Sequence, residues 1–338
     1  MSIFEPNLDL LRQTFGNDVQ NCCVELIRMV LGWRHVYRVT LSRQGHSTRE
    51  SIIIKTLGPE GPVTAHEAER ELLFYKHIYP QLSIPKPEVY NLLTDQATGC
   101  HVIMMEDLAL THHLPTYLHQ WKYEELKCVL HTYACLHTGS FDSLEYSWLS
   151  PRHEAVLDFE QIPEQVAIVQ RAGIWGDIPN LSALISYVRA SCEKYADKKL
   201  ALLHGDTTPT NAFLPHDLSS QLATLIDWID VGVGMPEFDL AYMDLQPFES
   251  ARRIPRSELL DLYWCFRAEL DPDIPSPEER GLRQLHADAV MALWLTATAS
   301  RVALHPYPEG TYPHVHWASQ FGIVYDRLRA LVEEIKIS

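Results

Sequence analysis

The stretch LALLHGDTTPTNAFL, Leu200–Leu214, carries most of the information about the fold, because two short apolar runs flank a polar loop. The run LALL is typical of the end of a strand, and NAFL is typical of the start of the next one. The loop between them contains His204, Asp206 and Asn211. Residues of these types can bind a metal, take a proton or close a turn, since Asp and Asn both favour turns.

A third run, LATLID, follows the turn PHDLSSQ and ends at Asp227. We expect it to pair with NAFL in a hairpin, which would place Asp227 at the same end as Asp206 and Asn211. Two carboxylates and one amide offer the oxygen ligands that Mg²⁺ prefers. A carboxylate that the metal does not need can orient and deprotonate a hydroxyl. His204 is an unusual ligand for Mg²⁺, and we interpret it as structural.

A single lysine, Lys55, lies inside the apolar strand ESIIIKTL. A buried ammonium group is costly unless a carboxylate pairs with it. The helix predicted after this strand carries three candidates, Glu67, Glu69 and Glu71. Glu71 shares its face with the apolar positions of the helix, so its side chain is expected to point toward the sheet. The sequence therefore favours Glu71 as the partner of Lys55.

Periodicity divides the chain into two parts. Residues 20–106 contain five strand-like runs with one helix after the third, and the remainder is mainly helical. The composition changes near Glu106–Ala109, where we expect a hinge. The sequence thus predicts an α+β protein with a small β-rich part at residues 1–107 and a larger α-rich part at residues 108–338.

Composition and charge exclude several classes of protein. The 338 residues carry a formal net charge of −16, which argues against nucleic acid as a partner, because such binding depends on Lys and Arg. No apolar run approaches the ~20 residues that a membrane span needs. The 7 cysteines form no CxxC pair, and scattered reduced thiols are typical of a cytoplasmic protein. We expect a monomer or a homodimer.

Three motifs occur in a telling order downstream of Lys55: LLHGDTTPTN, LIDW and PEFDLAYM. This order resembles the aminoglycoside phosphotransferase and choline kinase superfamily, over about residues 20–250 of this chain. The resemblance implies a two-lobed protein-kinase-like fold. A small five-stranded antiparallel N-terminal lobe would bind the nucleotide, and a large, mainly helical C-terminal lobe would be catalytic and bind the substrate.

The resemblance also implies an activity. ATP would be the phosphoryl donor, with GTP left open, and Mg²⁺ the metal. The acceptor would be a hydroxyl of a small molecule such as an amino alcohol, an aminoglycoside or a sugar. Asp206 would orient that hydroxyl and take its proton, while Asn211 and Asp227 would hold Mg²⁺. Lys55, anchored by Glu71, would hold the α- and β-phosphates.

Further nucleotide contacts follow from the same resemblance. VIMMEDL is similar to the hinge of this superfamily, so main-chain groups of Glu106 and Leu108 would meet the adenine edge, with Met105 beside the base. Gly32 would belong to the loop that closes over the phosphates. Asp239 would be structural and would hydrogen-bond the catalytic loop from below.

The sequence departs from the superfamily pattern at Ile229 and Met235, where acidic residues are common in the superfamily, and in two loops. The phosphate loop GWRHV has one glycine and carries the bulky Trp33 and Arg34. The catalytic loop has Thr207 and Thr208 where relatives often have Leu-His or a similar pair. These departures concern phosphate contacts and the surroundings of the acceptor.

Three other functions use some of the same residue types. A protein kinase is disfavoured, because Asp227 and Asp239 lie only 12 residues apart and leave no room for an activation segment. A hydrolase lacks its nucleophile–base pair. A nucleotide-binding, pseudokinase-like module without catalysis remains the alternative to a small-molecule kinase.

Overall fold

The computed structural model of the chain consists of two compact units. The first comprises Met1–Leu114 and Phe213–Val231, and the second Pro115–Ala212 and Gly232–Ser338. The division into lobes at residues 1–107 and 108–338, expected from the sequence, stays a prediction. The structure describes residues 6–30, 34–46, 50–58, 65–96, 99–116, 119–138, 146–149, 157–195, 200–220, 222–246, 254–306 and 312–337.

The first unit contains a five-stranded antiparallel sheet in the order β1-β2-β3-β5-β4. Five strands with a helix after the third confirm the fold predicted for this part of the chain. The bounds are α1 Leu8–Phe15, β1 Val19–Val30, β2 Arg34–Arg43, β3 Glu50–Leu57, α2 Ala65–His77, β4 Val89–Thr94 and β5 His101–Glu106.

The strands of this sheet present two different faces, because successive side chains in a strand point to opposite sides. In β3, Ile52 and Ile54 are fully buried in an apolar core, which α1 closes with Leu11. Ile53 and Lys55 alternate with them and line a pocket on the other face. The period of two therefore separates the residues that hold the sheet together from those that face the pocket.

Helix α2 is held against a segment from much later in the chain. The Phe74 ring stacks on Trp228 with ring centroids 4.5 Å apart and an interplanar angle of 26°. Both side chains are fully buried. Glu71 precedes Phe74 by one turn of α2, and Asp227 directly precedes Trp228. The stack thus ties the helix that carries Glu71 to the turn that carries Asp227.

Short strands accompany the quoted loop. Strand β8, Ala212–Pro215, lies between β6, His112–His113, and β9, Thr224–Leu225. The predicted pairing of NAFL with LATLID is therefore found. The sequence did not predict β6, because two residues are too few to show a period of two. In the second unit, β7, Ala201–Leu203, pairs antiparallel with β10, Gly232–Gly234. The sequence did not predict β10, because glycine, which makes up two of its three residues, is depleted in strands.

The second unit is mainly helical, as predicted. A helix of 28 residues, α8 (Pro277–Leu304), packs against α4 (Ile162–Arg171), α6 (Glu237–Asp244) and α9 (Tyr312–Ile337). The α8 N-terminus is capped by Ser276, whose side chain accepts a hydrogen bond from the Glu279 N–H at 3.2 Å. None of the helices in the described ranges is both long and apolar enough to cross a bilayer. The bounds are α3 Tyr123–Leu136, α4 Ile162–Arg171, α5 Leu181–Tyr195, α6 Glu237–Asp244, α7 Arg256–Leu270, α8 Pro277–Leu304 and α9 Tyr312–Ile337.

Candidate active site

Lys55 and Glu71 form a buried ion pair in the first unit. Lys55 Nζ lies 2.5 Å from Glu71 Oε1 and 2.7 Å from Oε2. The Glu71 side chain is fully buried and that of Lys55 is 8% exposed. Burial raises the pKa of Glu71, even though the Lys55 ammonium acts in the opposite direction. The structure thus brings together the two residues that the sequence paired, at the pocket face of β3.

Asp227 joins this pair through its carboxylate. Its Oδ1 accepts a hydrogen bond from Lys55 Nζ at 2.7 Å. Arg34 Nη1 donates to both oxygens, at 2.7 Å to Oδ1 and 2.9 Å to Oδ2. Burial alone would raise the pKa of Asp227, but the charges of Arg34 and Lys55 outweigh it and hold this pKa well below its usual range. Asp227 is therefore a largely buried, ionised carboxylate.

The backbone at Asp227 has the left-handed conformation, with φ of 67°. Only a minority of non-glycine residues adopt such an angle, and Asp is among those that tolerate it best. The next residues form the short helix Trp228–Asp230. This turn, together with the buried Trp228 ring, fixes where the carboxylate points.

A pocket of about 470 Å³ lies beside this charged cluster in the first unit. Such a volume is typical of sites for small ligands. One end carries Lys55, Arg34 and Asp227, and the rest of the lining is largely apolar. A ligand with a flat apolar ring and an anionic tail would match both parts. The apolar lining includes Val36, Ile53, Met105, Leu108, Phe213 and Ile226.

The predicted hinge residues line the same pocket. Met105, Glu106 and Leu108 all belong to its wall. The Glu106 N–H donates to the Glu88 carbonyl at 2.9 Å, so a main-chain contact from Glu106 to a base would use its carbonyl oxygen. The side chains of Met105 and Leu108 are nearly buried and present apolar surface. Gly32, predicted to cover the phosphates, lies outside the described residues.

Sequence reasoning missed a hydrogen-bonded support behind the hinge. The Asp107 carboxylate accepts hydrogen bonds from Arg38 Nε and from Ser51 Oγ, each at 2.7 Å. It also caps the helical turn that follows, through the Ala109 N–H at 3.1 Å. Burial would raise the pKa of Asp107, but these hydrogen bonds lower it. Asp107 therefore ties the hinge to β2 and β3, and the spacing Asp-x-Ala was the available signal for the cap.

The predicted catalytic loop lies in the second unit and is supported by Asp239. The Asp239 carboxylate accepts hydrogen bonds from the His204 N–H at 2.8 Å and the Gly205 N–H at 3.0 Å. Gly205 has φ of 85°, a conformation that favours glycine. Thr207 Oγ1 adds a hydrogen bond to the Asp239 carbonyl at 2.8 Å. These contacts hold the loop at His204 and Gly205 through main-chain N–H groups and at Thr207 through its side chain.

His137 also supports Asp239. Its Nε2 lies 3.1 Å from Asp239 Oδ2, and its Nδ1 lies 2.9 Å from the Tyr263 hydroxyl. Burial would raise the pKa of Asp239, but the hydrogen bond and charge of His137, with a smaller contribution from His204, lower it. His137 thus belongs to the support of the loop.

Asp206 and Asn211 contact each other within the loop. Asn211 Nδ2 donates to the Asp206 carbonyl at 3.0 Å and to Asp206 Oδ2 at 2.9 Å. The Asp206 N–H donates to His204 Nδ1 at 3.3 Å. His204 is fully buried, so it orients the loop and cannot reach a ligand from solvent. Because the Asn211 amide nitrogen is used by Asp206, its oxygen is the atom that Asn211 could offer a metal.

Comparisons with known proteins show the family of this chain and its fold. A model of the phosphotransferase enzyme family matches residues 30–263. No curated protein matches the sequence. A candidate aminoglycoside phosphotransferase from Ralstonia eutropha JMP134 is similar in structure over 97% of both chains, with 15% sequence identity and a TM-score of 0.67.

Two further solved structures show the same fold. A microcompartment-associated aminopropanol kinase covers 98% of this chain and 99% of its own, with 14% identity and a TM-score of 0.56. A spectinomycin phosphotransferase, solved with ADP and spectinomycin, covers 96% and 97%, with 15% identity and a TM-score of 0.56. At such identities the likeness establishes the protein-kinase-like fold alone. The family match, in contrast, extends over more than half of the sequence, and the chain therefore belongs to the phosphotransferase enzyme family.

Proposed function

We propose that this enzyme is an ATP- and Mg²⁺-dependent kinase that moves the γ-phosphate to a hydroxyl of a small molecule. The observation that carries the proposal is the cluster of Lys55, Glu71 and Asp227 at the charged end of a largely apolar pocket. A purine base suits the apolar wall, and a polyphosphate suits the cationic end. The family match supports phosphoryl transfer as the reaction.

The residues of the pocket would bind and position the donor. Lys55, held by Glu71, would donate hydrogen bonds to the phosphates. Met105 would pack against the base, and main-chain groups of Glu106 and Leu108 would meet its edge. These contacts place the γ-phosphorus without any covalent chemistry from the protein, which is how enzymes of this kind catalyse transfer.

Asp227 and Asn211 each offer an oxygen of the kind that binds a magnesium ion. Asp227 supplies a largely buried, ionised carboxylate, and Asn211 has an amide oxygen to offer, as hard cations require. Mg²⁺, when bound, would offset the charge of the phosphates. That Asn211 and Asp227 share one ion is a prediction from the sequence.

Asp206 would act on the acceptor. Its carboxylate would accept a hydrogen bond from the acceptor hydroxyl and take the proton as that oxygen attacks the γ-phosphorus. The bond between the γ-phosphorus and the bridging oxygen breaks, and the nucleoside diphosphate leaves. Asn211 would keep the Asp206 carboxylate in place through its 2.9 Å hydrogen bond.

The acceptor belongs to one of three proposed classes: amino alcohols, aminoglycosides and sugars. The net charge of −16 favours a cationic molecule among them. The printed names of similar structures, an aminopropanol kinase and a spectinomycin phosphotransferase, support the same classes. A cytoplasmic location and a monomeric or homodimeric state are proposed from the sequence.

The decisive experiment is an ATP-consumption screen over amino alcohols, sugars and antibiotics. Wild type is compared with Asp206→Asn, and Asp217→Asn serves as a control because Asp217 is an exposed turn residue. Mg²⁺-dependent consumption that needs an acceptor and is lost only in Asp206→Asn would support the proposal.

The alternative is a nucleotide-binding module without catalysis, and a binding measurement separates the two. Both functions predict that ADP with Mg²⁺ raises the melting temperature of the wild type. Binding without turnover on any acceptor class would favour the alternative. Absence of binding would exclude both.

A further inference from the structure

Arg34 occupies a position that the proposed roles leave unexplained. It is the first residue of β2 and lines the pocket. Its guanidinium contacts both oxygens of Asp227, at 2.7 and 2.9 Å, and its side chain is only 11% exposed. The carboxylate proposed to bind the metal is thus already engaged by an arginine.

Other charges around Asp227 make this end of the pocket cationic. Lys55 Nζ contacts Asp227 at 2.7 Å, and Arg28 lines the same pocket. Among the described residues around Asp227, the three cations Arg28, Arg34 and Lys55 face two carboxylates, Asp227 and Glu71. An excess of positive charge suits an anionic tail more than it suits a lone metal ion.

A metal ion at Asp227 and the Arg34 contact compete for the same oxygens. Mg²⁺ demands close oxygen ligands in near-octahedral geometry, so at least one carboxylate oxygen must be released from Arg34. The released guanidinium stays on the pocket face of β2, because Val36 of that strand lies opposite Lys55. Its planar set of N–H donors matches phosphate oxygens in geometry and charge.

We propose that Arg34 is a phosphate-binding residue of this pocket, which occupies Asp227 in the free protein and transfers to the donor's phosphates when nucleotide and metal bind. The inference rests on the proposed function, since it needs a nucleotide in the pocket. It also accounts for a phosphate loop with a single glycine: a long cationic side chain takes over contacts that main-chain N–H groups make in glycine-rich loops.

The test compares wild type, Arg34→Gln and a matched control, Arg43→Gln. Arg43 belongs to the same strand and forms ion pairs with Glu50 at 2.9 Å and with Asp18 at 3.2 Å, outside the pocket lining. Isothermal titration with ADP in the presence of saturating Mg²⁺ and without an acceptor measures phosphate binding without turnover, under the conditions in which Arg34 would leave Asp227. We expect Arg34→Gln to weaken ADP binding about tenfold, as for one charge-assisted hydrogen bond, and Arg43→Gln to bind like wild type.

A second titration uses Mn²⁺ without nucleotide, followed by electron paramagnetic resonance. Arg34→Gln removes the guanidinium charge that lies against the Asp227 carboxylate. We therefore expect the affinity for Mn²⁺ to rise at least about fivefold in this variant. The substitution should thus lower the affinity for ADP and raise the affinity for Mn²⁺. A general loosening of the fold would lower the affinity for both ligands. The combination therefore identifies a residue that competes with metal and assists phosphate.

Each outcome has a distinct meaning. Unchanged ADP affinity in Arg34→Gln, with normal ADP binding by wild type, would overturn this inference and leave the proposed function standing. Unchanged Mn²⁺ affinity would overturn the competition at Asp227. If wild type binds no ADP, the proposed function fails and the inference falls with it. Should Arg34→Gln not fold, Arg34→Lys replaces it, with an expected ADP affinity between wild type and tenfold weaker.

Discussion

Asn211 holds Asp206 with one amide nitrogen, which donates both to the main-chain carbonyl and to the side-chain carboxylate, at 3.0 and 2.9 Å. The residue proposed to take a proton is therefore oriented by a residue proposed to bind the metal. Loss of Asn211 should affect the position of the carboxylate as well as the metal.

Asn211→Ala tests this double role. We expect kcat to fall by about 10²–10⁴-fold, as for a general base that has lost its position, and the Mg²⁺ concentration for half-maximal rate to rise. Steady-state kinetics over a range of Mg²⁺ concentrations measures both effects. If excess Mg²⁺ restored full activity, Asn211 would serve the metal alone and the hydrogen bond to Asp206 would be unimportant.

Asp227→Asn should remove the metal dependence of nucleotide binding. The largely buried carboxylate is ionised at neutral pH, and an amide oxygen replaces it with no net charge. In wild type, Mg²⁺ is expected to strengthen ADP binding, and in the variant ADP affinity should be the same with Mg²⁺ or with a chelator. Calorimetric titrations under both conditions make the comparison. A variant that kept the full effect of Mg²⁺ would show that the ion binds elsewhere.

Glu71→Gln should impair nucleotide binding more than stability. Burial raises the pKa of Glu71, which means that its ionised form is costly in this position. Lys55 also keeps its 2.7 Å contact with Asp227 when the Glu71 charge is removed. We therefore expect the free energy of unfolding to change by less than about 1 kcal/mol, because no buried charge is left unpaired.

The same variant should bind ADP about tenfold more weakly, since Lys55 loses one of its two anchors. Urea denaturation and ADP titration give the two quantities. Glu69→Gln, an exposed position in the same helix, is the control and should match wild type in both. A variant with wild-type ADP affinity would contradict the anchoring role of Glu71.

Asp239→Asn should destabilise the protein in a pH-dependent way. The pKa of Asp239 is lowered in the folded state from its ordinary value of 3.8, so its contribution to stability is present above that value and is lost as the pH falls through the folded-state pKa. At neutral pH the variant should be less stable by about 2–4 kcal/mol, since several hydrogen bonds to a buried charge are lost.

The difference between wild type and Asp239→Asn should shrink below about pH 4. Denaturation curves at neutral pH and in mild acid measure it. Asp217→Asn, a change at an exposed carboxylate, controls for the general effect of pH. If wild type and variant differed in stability by the same amount in acid as at neutral pH, the charge of Asp239 would contribute nothing to the free energy of unfolding. The loss in the variant would then come from the shape and hydrogen-bonding pattern of the side chain.

The pairing of Lys55 with Glu71 could be predicted because both residues belong to regular elements. A lysine inside an apolar strand needs a partner, and the facing of the helix selected Glu71 from three glutamates. The same reasoning found the five strands, the helix after the third strand and the hairpin that ends at Asp227, since local periodicity and turn residues determine them.

The contacts of Arg34 and Asp107 could not be predicted in this way. Arg34 reaches Asp227 across 193 positions of the chain, and Arg38 reaches Asp107 across 69. Such contacts depend on how distant elements come together, which no local pattern records. Arg34 appeared in the sequence only as a departure from a glycine-rich loop, and its ion pair became visible with the structure.

The stack of Phe74 on Trp228 has a consequence for control of activity. It joins one turn of α2 to the residue after Asp227, with ring centroids 4.5 Å apart. A kinase-like enzyme can be switched off by a movement of the helix that carries the glutamate of the ion pair. Such a switch requires that this helix, here α2, move independently of the turn that carries Asp227. Here the two would have to move together or break a buried aromatic contact, so we expect an enzyme that is constitutively assembled and that responds to the supply of its substrates.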